Sequence, residues 1–305
     1  IPPTTVLPTT QPTDQPTTSP PTIQPTNQPT TSFPTIQPTN PLTTETPTTI
    51  VPTTCPPVEI EVVPSELAPN PETIETVSIT SGLCSSYQGT EFILRGLPAL
   101  KSIVIGDSCF KKVRVFELDG LCELESVVIG QQSFRIGSFE RNDGSYRIVN
   151  SPKLKSIQIG YESFEDYHSF ELNNLPSLQT IDISGWCFRY APSFSLTDLP
   201  QLQSVKLVDW AFRDVHYIVF ENLPKLQSIE LGYGALQGDY RDDRKTISTS
   251  PFNYNNTLTM RNLSSLTEFK GDLYNFHSIG SVILENIPQL SSNGINFGDY
   301  CFGYT

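Results

Sequence analysis

From Ile74 onward, apolar residues return in a fixed short rhythm. Six stretches align without a gap: LKSIVIGDSCF, LESVVIGQQSF, LKSIQIGYESF, LQTIDISGWCF, LQSVKLVDWAF and LQSIELGYGAL. They open at Leu100, Leu124, Leu154, Leu178, Leu202 and Leu226. Weaker copies open at Ile74, Leu266 and Leu290. The commonest spacing is 24 residues, with six extra between Leu124 and Leu154 and sixteen extra between Leu226 and Leu266. Inside each copy the LxSIxI segment alternates apolar and other residues, the period of a half-buried strand. A second alternating segment lies sixteen residues after the opening Leu, as in FEL from Phe170 to Leu172. The pattern predicts a mainly β chain of eight coils and a truncated ninth, two strands per coil. A lone coil cannot cover its own apolar faces; stacking covers both and pairs strand with strand in parallel sheets. Parallel crossovers turn right-handed, so a right-handed solenoid is expected over residues 74–305.

Two further columns follow from the alignment. A Phe stands ten residues into most coils, at Phe110, Phe134, Phe164, Phe188, Phe212 and Phe276. These rings are expected to stack as an aromatic spine inside the coil. The corner between strands reads Asn174-Leu175-Pro176 and Asn222-Leu223-Pro224, with Asp198-Leu199-Pro200 alongside. Gly96, Gly120, Asn150, Asn262 and Asn286 share the first position of that corner. Asn, Asp and Gly tolerate left-handed backbone, and Asn also bonds nearby backbone groups. A vertical asparagine stack with a structural role is expected there.

LKSIVIGDSCF resembles the leucine-rich repeat pattern LxxLxLxxNxL at Leu100, Ile103, Ile105 and Phe110. The position that usually holds Asn is occupied by Ser108, Gln132, Glu162, Trp186, Trp210 and Gly234. The chain is similar to the irregular leucine-rich repeats of microbial and protist surface proteins, over about residues 74–305. The resemblance implies a solenoid that binds or builds, with no catalytic residues to carry over. A strand rather than a helix at the back of each coil implies a straighter array than a horseshoe.

The first 57 residues read differently. Sixteen are Pro and twenty are Thr, and no Lys or Arg precedes Arg95. Pro recurs at 8, 12, 16, 20, 25, 29, 34 and 38, in a unit close to Pro-Thr-x-Gln. Each Pro fixes its own φ and pushes the preceding residue toward extended geometry, which favours polyproline II. With almost nothing apolar to bury, the segment cannot offset its ordering entropy alone. Dense Thr beside Pro is the composition of an O-glycosylated, mucin-like stalk. Candidate acceptors are Thr9, Thr10, Thr13, Thr17, Thr18, Thr22, Thr26, Thr30, Thr31, Thr35 and Thr39. The expected organisation is a stalk at 1–57, a linker or N-terminal cap at 58–73, and the solenoid at 74–305.

Charge narrows the partners. A net charge of −13 repels polyphosphates, so nucleic acid is not an expected ligand. No apolar run is long enough for a transmembrane helix. The chain opens at Ile1 and its one Met is Met260, the appearance that a removed signal peptide leaves. Six cysteines include no CxxC pair, so zinc-ribbon and thioredoxin readings lack support. Cys109, Cys187 and Cys301 precede the spine position, where Ser133, Ser163, Ala211 and Ala235 stand in other coils. Cysteine there reads as a small buried residue. A bridge from Cys55 to Cys84 would clamp the stalk to the first coil, although six cysteines allow fifteen complete pairings.

Candidate chemistry is sparse. No nucleophile motif, phosphate loop or cofactor motif stands out. His168 and His216 lie two coils apart, roughly 10 Å, too far to share one metal; His277 sits elsewhere in its coil. The charged insertion at 237–253 holds Asp239, Asp242 and Asp243, but Arg241, Arg244 and Lys245 compete for them, so a solvated loop is expected before a calcium site. Trp186 and Trp210 share a column one coil apart: exposed, they form a platform for a sugar or partner; turned inward, they are core. N-linked sequons occur at Asn255 and Asn262.

These readings point to a non-enzymatic, extracellular structural glycoprotein, the repeating subunit of a fibril or surface appendage. A stalked recognition module for a protein or glycan is the alternative. The sequence ends at Thr305 partway through a coil with no polar cap, so an open edge there is expected to dock on the end near Ile74, head to tail. Such contacts do not close and propagate as filaments.

Overall fold

The computed structural model describes residues 48–50, 59–60, 71–137, 144–239 and 255–303. The Pro/Thr repeat with its eleven candidate threonines, Cys55, Asp242, Asp243 and most of both insertions lie outside the described residues. The strands described below all belong to the compact unit Glu45–Thr305.

Every described strand pairs in parallel, and the chain alternates between two walls. The first wall is one sheet of ten strands. In order these are β1 (Thr48–Ile50), β3 (Ile74–Ile79), β5 (Ser102–Ile105), β7 (Ser126–Ile129), β9 (Ser156–Ile159), β11 (Thr180–Ile183), β13 (Ser204–Leu207), β15 (Ser228–Leu231), β17 (Glu268–Gly271) and β19 (Ile295–Phe297). The second wall comprises two sheets. One contains β2 (Glu59–Ile60), β4 (Glu91–Leu94), β6 (Val115–Asp119), β8 (Gly144–Val149) and β10 (Tyr167–Asn173). The other contains β12 (Ser193–Thr197), β14 (Tyr217–Glu221), β16 (Thr257–Arg261) and β18 (Ser281–Glu285). The result is a parallel β-solenoid of two-stranded coils about 24 residues long, with no α-helix among the described residues. Among the described residues no helix is long and apolar enough to cross a membrane.

The opening leucines all reach the core: Leu100, Leu124, Leu154, Leu178, Leu202 and Leu226 are fully buried. The expected aromatic spine forms. Phe110, Phe134, Phe164, Phe188 and Phe212 stack with centroid separations of 5.1, 4.7, 5.4 and 5.0 Å. Leu236 interrupts the column, and Phe276 and Phe302 resume it at 5.0 Å. A second stack runs beside it on the other wall: Phe92, Phe116, Tyr146, Phe170 and Phe194. Rings of the two stacks meet edge to face, as at Phe116–Phe134 (5.1 Å) and Tyr146–Phe188 (5.2 Å). Aromatic quadrupoles favour that arrangement over a sandwich.

Three departures from the plain repeat have physical causes. First, the second wall divides between β10 and β12. At this corner Arg114 and Val115 donate their N–H groups to the Thr90 carbonyl (2.6 and 3.1 Å), and His216 and Tyr217 donate theirs to Pro192 (2.8 and 3.0 Å). Pro192 accepts but has no N–H to pass the ladder back toward β10. The register of β10 also slips between Tyr167 and Ser169.

Second, the last coil is two residues out of step. Counting from Leu290 places polar Asn293 opposite Phe269, but the structure pairs Phe269 with Ile295. A 3-10 turn at Ser292–Gly294 takes up the extra residues and restores an apolar residue to the register. A Cβ on Gly294 would collide with the Thr267 carbonyl oxygen, so the turn depends on glycine. Third, the array begins earlier than Ile74. β1 pairs with β3 and β2 with β4, so short strands from the spans read as stalk and linker extend both walls. The edge at Ile74–Ile79, expected to receive another subunit, is already paired within the chain. An open parallel edge recruits whatever strand is nearest.

Candidate functional surface

Polar side chains form columns because each coil repeats its predecessor's register. The corner column is the clearest. Asn150 donates to Asp119 (2.8 Å), Asn174 to Asn150 (2.9 Å), Asn222 to Asp198 (2.8 Å), Asn262 to Asn222 (2.7 Å) and Asn286 to Asn262 (3.0 Å). All occupy left-handed backbone except Asp119, with φ from 53° to 56°. The expected asparagine stack is therefore present, interrupted at Asp198.

A second pair of left-handed columns lies on the turn after the first-wall strand. One holds the spine residues, from Phe212 at φ 49° to Phe110 at 58°. The other holds Ser108, Gln132, Glu162, Trp186, Trp210, Tyr274 and Tyr300, at 53° to 65°. A bulky residue in this region costs about 1–2 kcal/mol. The geometry aims alternate amides at opposite neighbours. Trp186 N–H donates to Asp209 in the next coil (2.8 Å), and Phe212 N–H donates back to Cys187 (3.0 Å). Each turn is thereby tied above and below.

Trp186 and Trp210 are half-buried on this turn edge, their rings 5.8 Å apart and tilted by 44°. The strip continues through Tyr233, Tyr274 and Tyr300. At the two tryptophans it is not an open platform. The Arg189 guanidinium lies 4.8 Å from the Trp186 ring centre and that of Arg213 lies 5.3 Å from Trp210. Gly234 packs against the remaining Trp210 surface, where a Cβ would strike the ring. Cation–π contact and ring-on-ring packing occupy the faces a sugar would need. Arg189 also reaches Glu165 at 3.6 Å, as does Arg135 at 2.8 Å. Burial raises the Glu165 carboxyl above the usual carboxylate range, against the pull of these two cations.

The slot before the spine behaves as a small inward position. Cys109 and Cys187 are fully buried there, with Ser133, Ser163, Ala211 and Ala235. Its donors all reach back one coil to a carbonyl: Ser133 to Gly106 (2.8 Å), Ser163 to Gly130 (2.6 Å), Cys187 to Gly160 (3.1 Å) and Cys301 to Asp272 (2.9 Å). Burial pushes the Cys187 thiol far up. Cys84 is buried in the first coil; the Cys55 half of the expected clamp lies outside the described residues.

The histidines take separate places. His168 is exposed. His216 contacts the Asn256 side-chain oxygen at 2.9 Å and Asp239 at 3.6 Å. Asn256 in turn donates to the Asp239 and Ser278 carbonyls, pinning the bases of the charged insertion. Among the described residues no three His, Cys, Asp or Glu side chains converge as a metal site. Asn255 is exposed, whereas the Asn262 side chain is engaged in the corner ladder on both sides.

The outer face of the first wall was not singled out by sequence reasoning. Thr76, Ser102, Ser126, Ser156, Thr180, Ser204 and Ser228 pair in one unbroken register, a hydroxyl on every strand from β3 to β15. The recurrent Ser in LxSIxI was the available signal. Beside it Glu75 receives Lys101 (2.8 Å) and Glu125 receives Lys155 (2.8 Å). The same column then changes to Gln179, Gln203 and Gln227. Depressions of about 410 and 650 Å³ lie over this face and share Lys206, Ser228 and Glu230. No protein-family model, curated protein or solved structure matches the chain.

Proposed function

We propose that the protein is a non-enzymatic, extracellular structural glycoprotein: a stiff solenoid body on an O-glycosylated stalk, serving as a subunit of a fibril or surface appendage. The observation that supports this best is how polar groups are used. Asparagines and lysine–glutamate pairs bond the matching position of an adjacent coil, and serines, cysteines and left-handed amides bond a fixed neighbouring position there. Such ladders resist bending and shear between coils, and a fully bonded buried network fixes one arrangement. The repeat's resemblance to irregular leucine-rich repeats, and right-handed winding, belong to the same proposal.

Electron micrographs of the native material test it, with intact mass on the same sample. Regular filaments, with a mass well above the 33.9 kDa of the bare chain, are expected. Dispersed particles at high concentration, or an unmodified mass, would contradict the fibril and stalk parts respectively.

A further inference from the structure

One polar surface does not follow the coil-to-coil rule. Among the described residues Ser156, Thr180, Ser204 and Ser228, with Gln203 and Gln227, make no side-chain hydrogen bond within the chain, while the corner asparagines and the turn serines bond to adjacent coils. Thr180, Gln203 and Gln227 are exposed and the serines half-buried, so these groups face the solvent side of the wall. Ser156, Thr180, Ser204 and Ser228 line the two depressions, which share Ser228 and together run as a trough across β9 to β17, and Gln203 and Gln227 stand one residue before Ser204 and Ser228.

We propose that this trough binds a neutral, linear, β-linked polysaccharide lying along the coil axis. Hydroxyls and amides both donate and accept, which matches the vicinal hydroxyls of a sugar. Paired strands are about 4.8 Å apart, so one hydroxyl is presented at each such step from β9 to β15, and Glu268 takes the column on β17. A β-linked pyranose chain advances by nearly the same distance per sugar, so each sugar meets its own coil. The bordering charges are of both signs: Asp182, Lys206, Glu230 and Lys270 alternate on successive strands, Lys206 lies 4.0 Å from Glu230, and Glu268 and Asp272 add negative charge at the β17 end. An alternating border disfavours a polyanion, and the net charge of −13 disfavours it further. Each contact replaces a water bond with a protein bond. Single sugars therefore bind weakly, and affinity accumulates with chain length.

The inference goes beyond the structural proposal and stands apart from it: a stiff subunit need not bind glycan, and micrographs do not report on the trough. The test is titration of the full chain with cello-oligosaccharides, followed by calorimetry and amide chemical shifts. A hexasaccharide should bind at least about tenfold more tightly than a trisaccharide. Combined Gln203→Ala, Ser204→Ala, Gln227→Ala and Ser228→Ala changes should weaken it at least about tenfold with the melting temperature unchanged. If that variant folds poorly, the wild-type shift map decides: perturbed amides should be confined to β9 through β17. No binding of neutral linear glycan, perturbation centred elsewhere, or preference for a sulfated glycan would overturn the proposal.

Discussion

The Asn222 amide donates to the Asp198 carboxylate over 2.8 Å, and Asp198 has no side-chain N–H with which to continue the ladder toward Asn174. The same junction holds Pro192, which has no backbone N–H, and there the second wall divides into two sheets. Two missing donors thus coincide at one coil boundary, while the first wall crosses it unbroken through β9, β11 and β13.

Asp198→Asn should close the gap by restoring a donor toward Asn174. The expected gain is about 0.5–1.5 kcal/mol, the net value of one hydrogen bond. Asn222→Ala should destabilise instead, losing bonds on both sides and placing Ala at φ 56°. Asn222→Gly should cost less, as Gly96 and Gly120 show by occupying that column. Urea unfolding of the three variants checks the order; equal stability of Ala and Gly would refute the backbone argument.

Two buried tyrosines should respond oppositely to loss of the hydroxyl. Tyr167 Oη donates to the Val113 carbonyl at 2.7 Å, so Tyr167→Phe should cost about 1–3 kcal/mol. Tyr146 Oη is buried without a partner, so Tyr146→Phe should be neutral or stabilising. Gly144 lies against the Tyr167 ring, where a Cβ would come within 2.6 Å. Gly144→Ala should therefore destabilise by about 1–3 kcal/mol through overpacking. Thermal denaturation measures all three.

Burial lowers the His277 pKa from its ordinary 6.5. Between that value and the lowered one the unfolded chain binds more protons than the native chain. The His277 contribution to stability is thus complete above pH 6.5 and is lost as pH falls through the lowered value. His277→Gln should flatten that part of the stability–pH curve. An unchanged slope in the variant would show that other groups set it.

Thiol reactivity should separate the cysteines. Cys122 is exposed, whereas Cys187 is fully buried and its thiol is pushed up by burial. A thiolate-directed reagent should label Cys122 quickly and Cys187 only on unfolding. Peptide mass mapping over time reads the difference, and fast labelling of Cys187 under native conditions would contradict its placement.

Much of this architecture was legible in the chain. The Leu and Phe columns and the Asn corner appear because inward positions tolerate little variation in volume and left-handed corners tolerate few residue types. The second aromatic stack was obscured: six extra residues displace Tyr146, and in the next coil but two Ile218 takes the column while Phe220 moves to its neighbour. The strands Thr48–Ile50 and Glu59–Ile60 carry no periodicity of their own and exist through pairing with β3 and β4. The setting of Trp186 and Trp210 could not be read because their column lies at a turn edge, where Arg189 and Arg213 decide how much of each ring is covered. The hydroxyl column was present in the sequence from Thr76 to Ser228, but only the bonding of the other columns makes the lack of partners at Ser156, Thr180, Ser204 and Ser228 evident.

Strand pairing in matched register holds the coils together, continuous along the first wall and interrupted once along the second. Native-state amide hydrogen exchange, resolved by residue, tests it most directly. Amides of β9, β11 and β13 should exchange only through global unfolding, while those of Ser193–Thr197 in β12 exchange measurably faster than those of β14. Uniform protection across the β10–β12 boundary, or exchange in β11 as fast as in β12, would contradict the account.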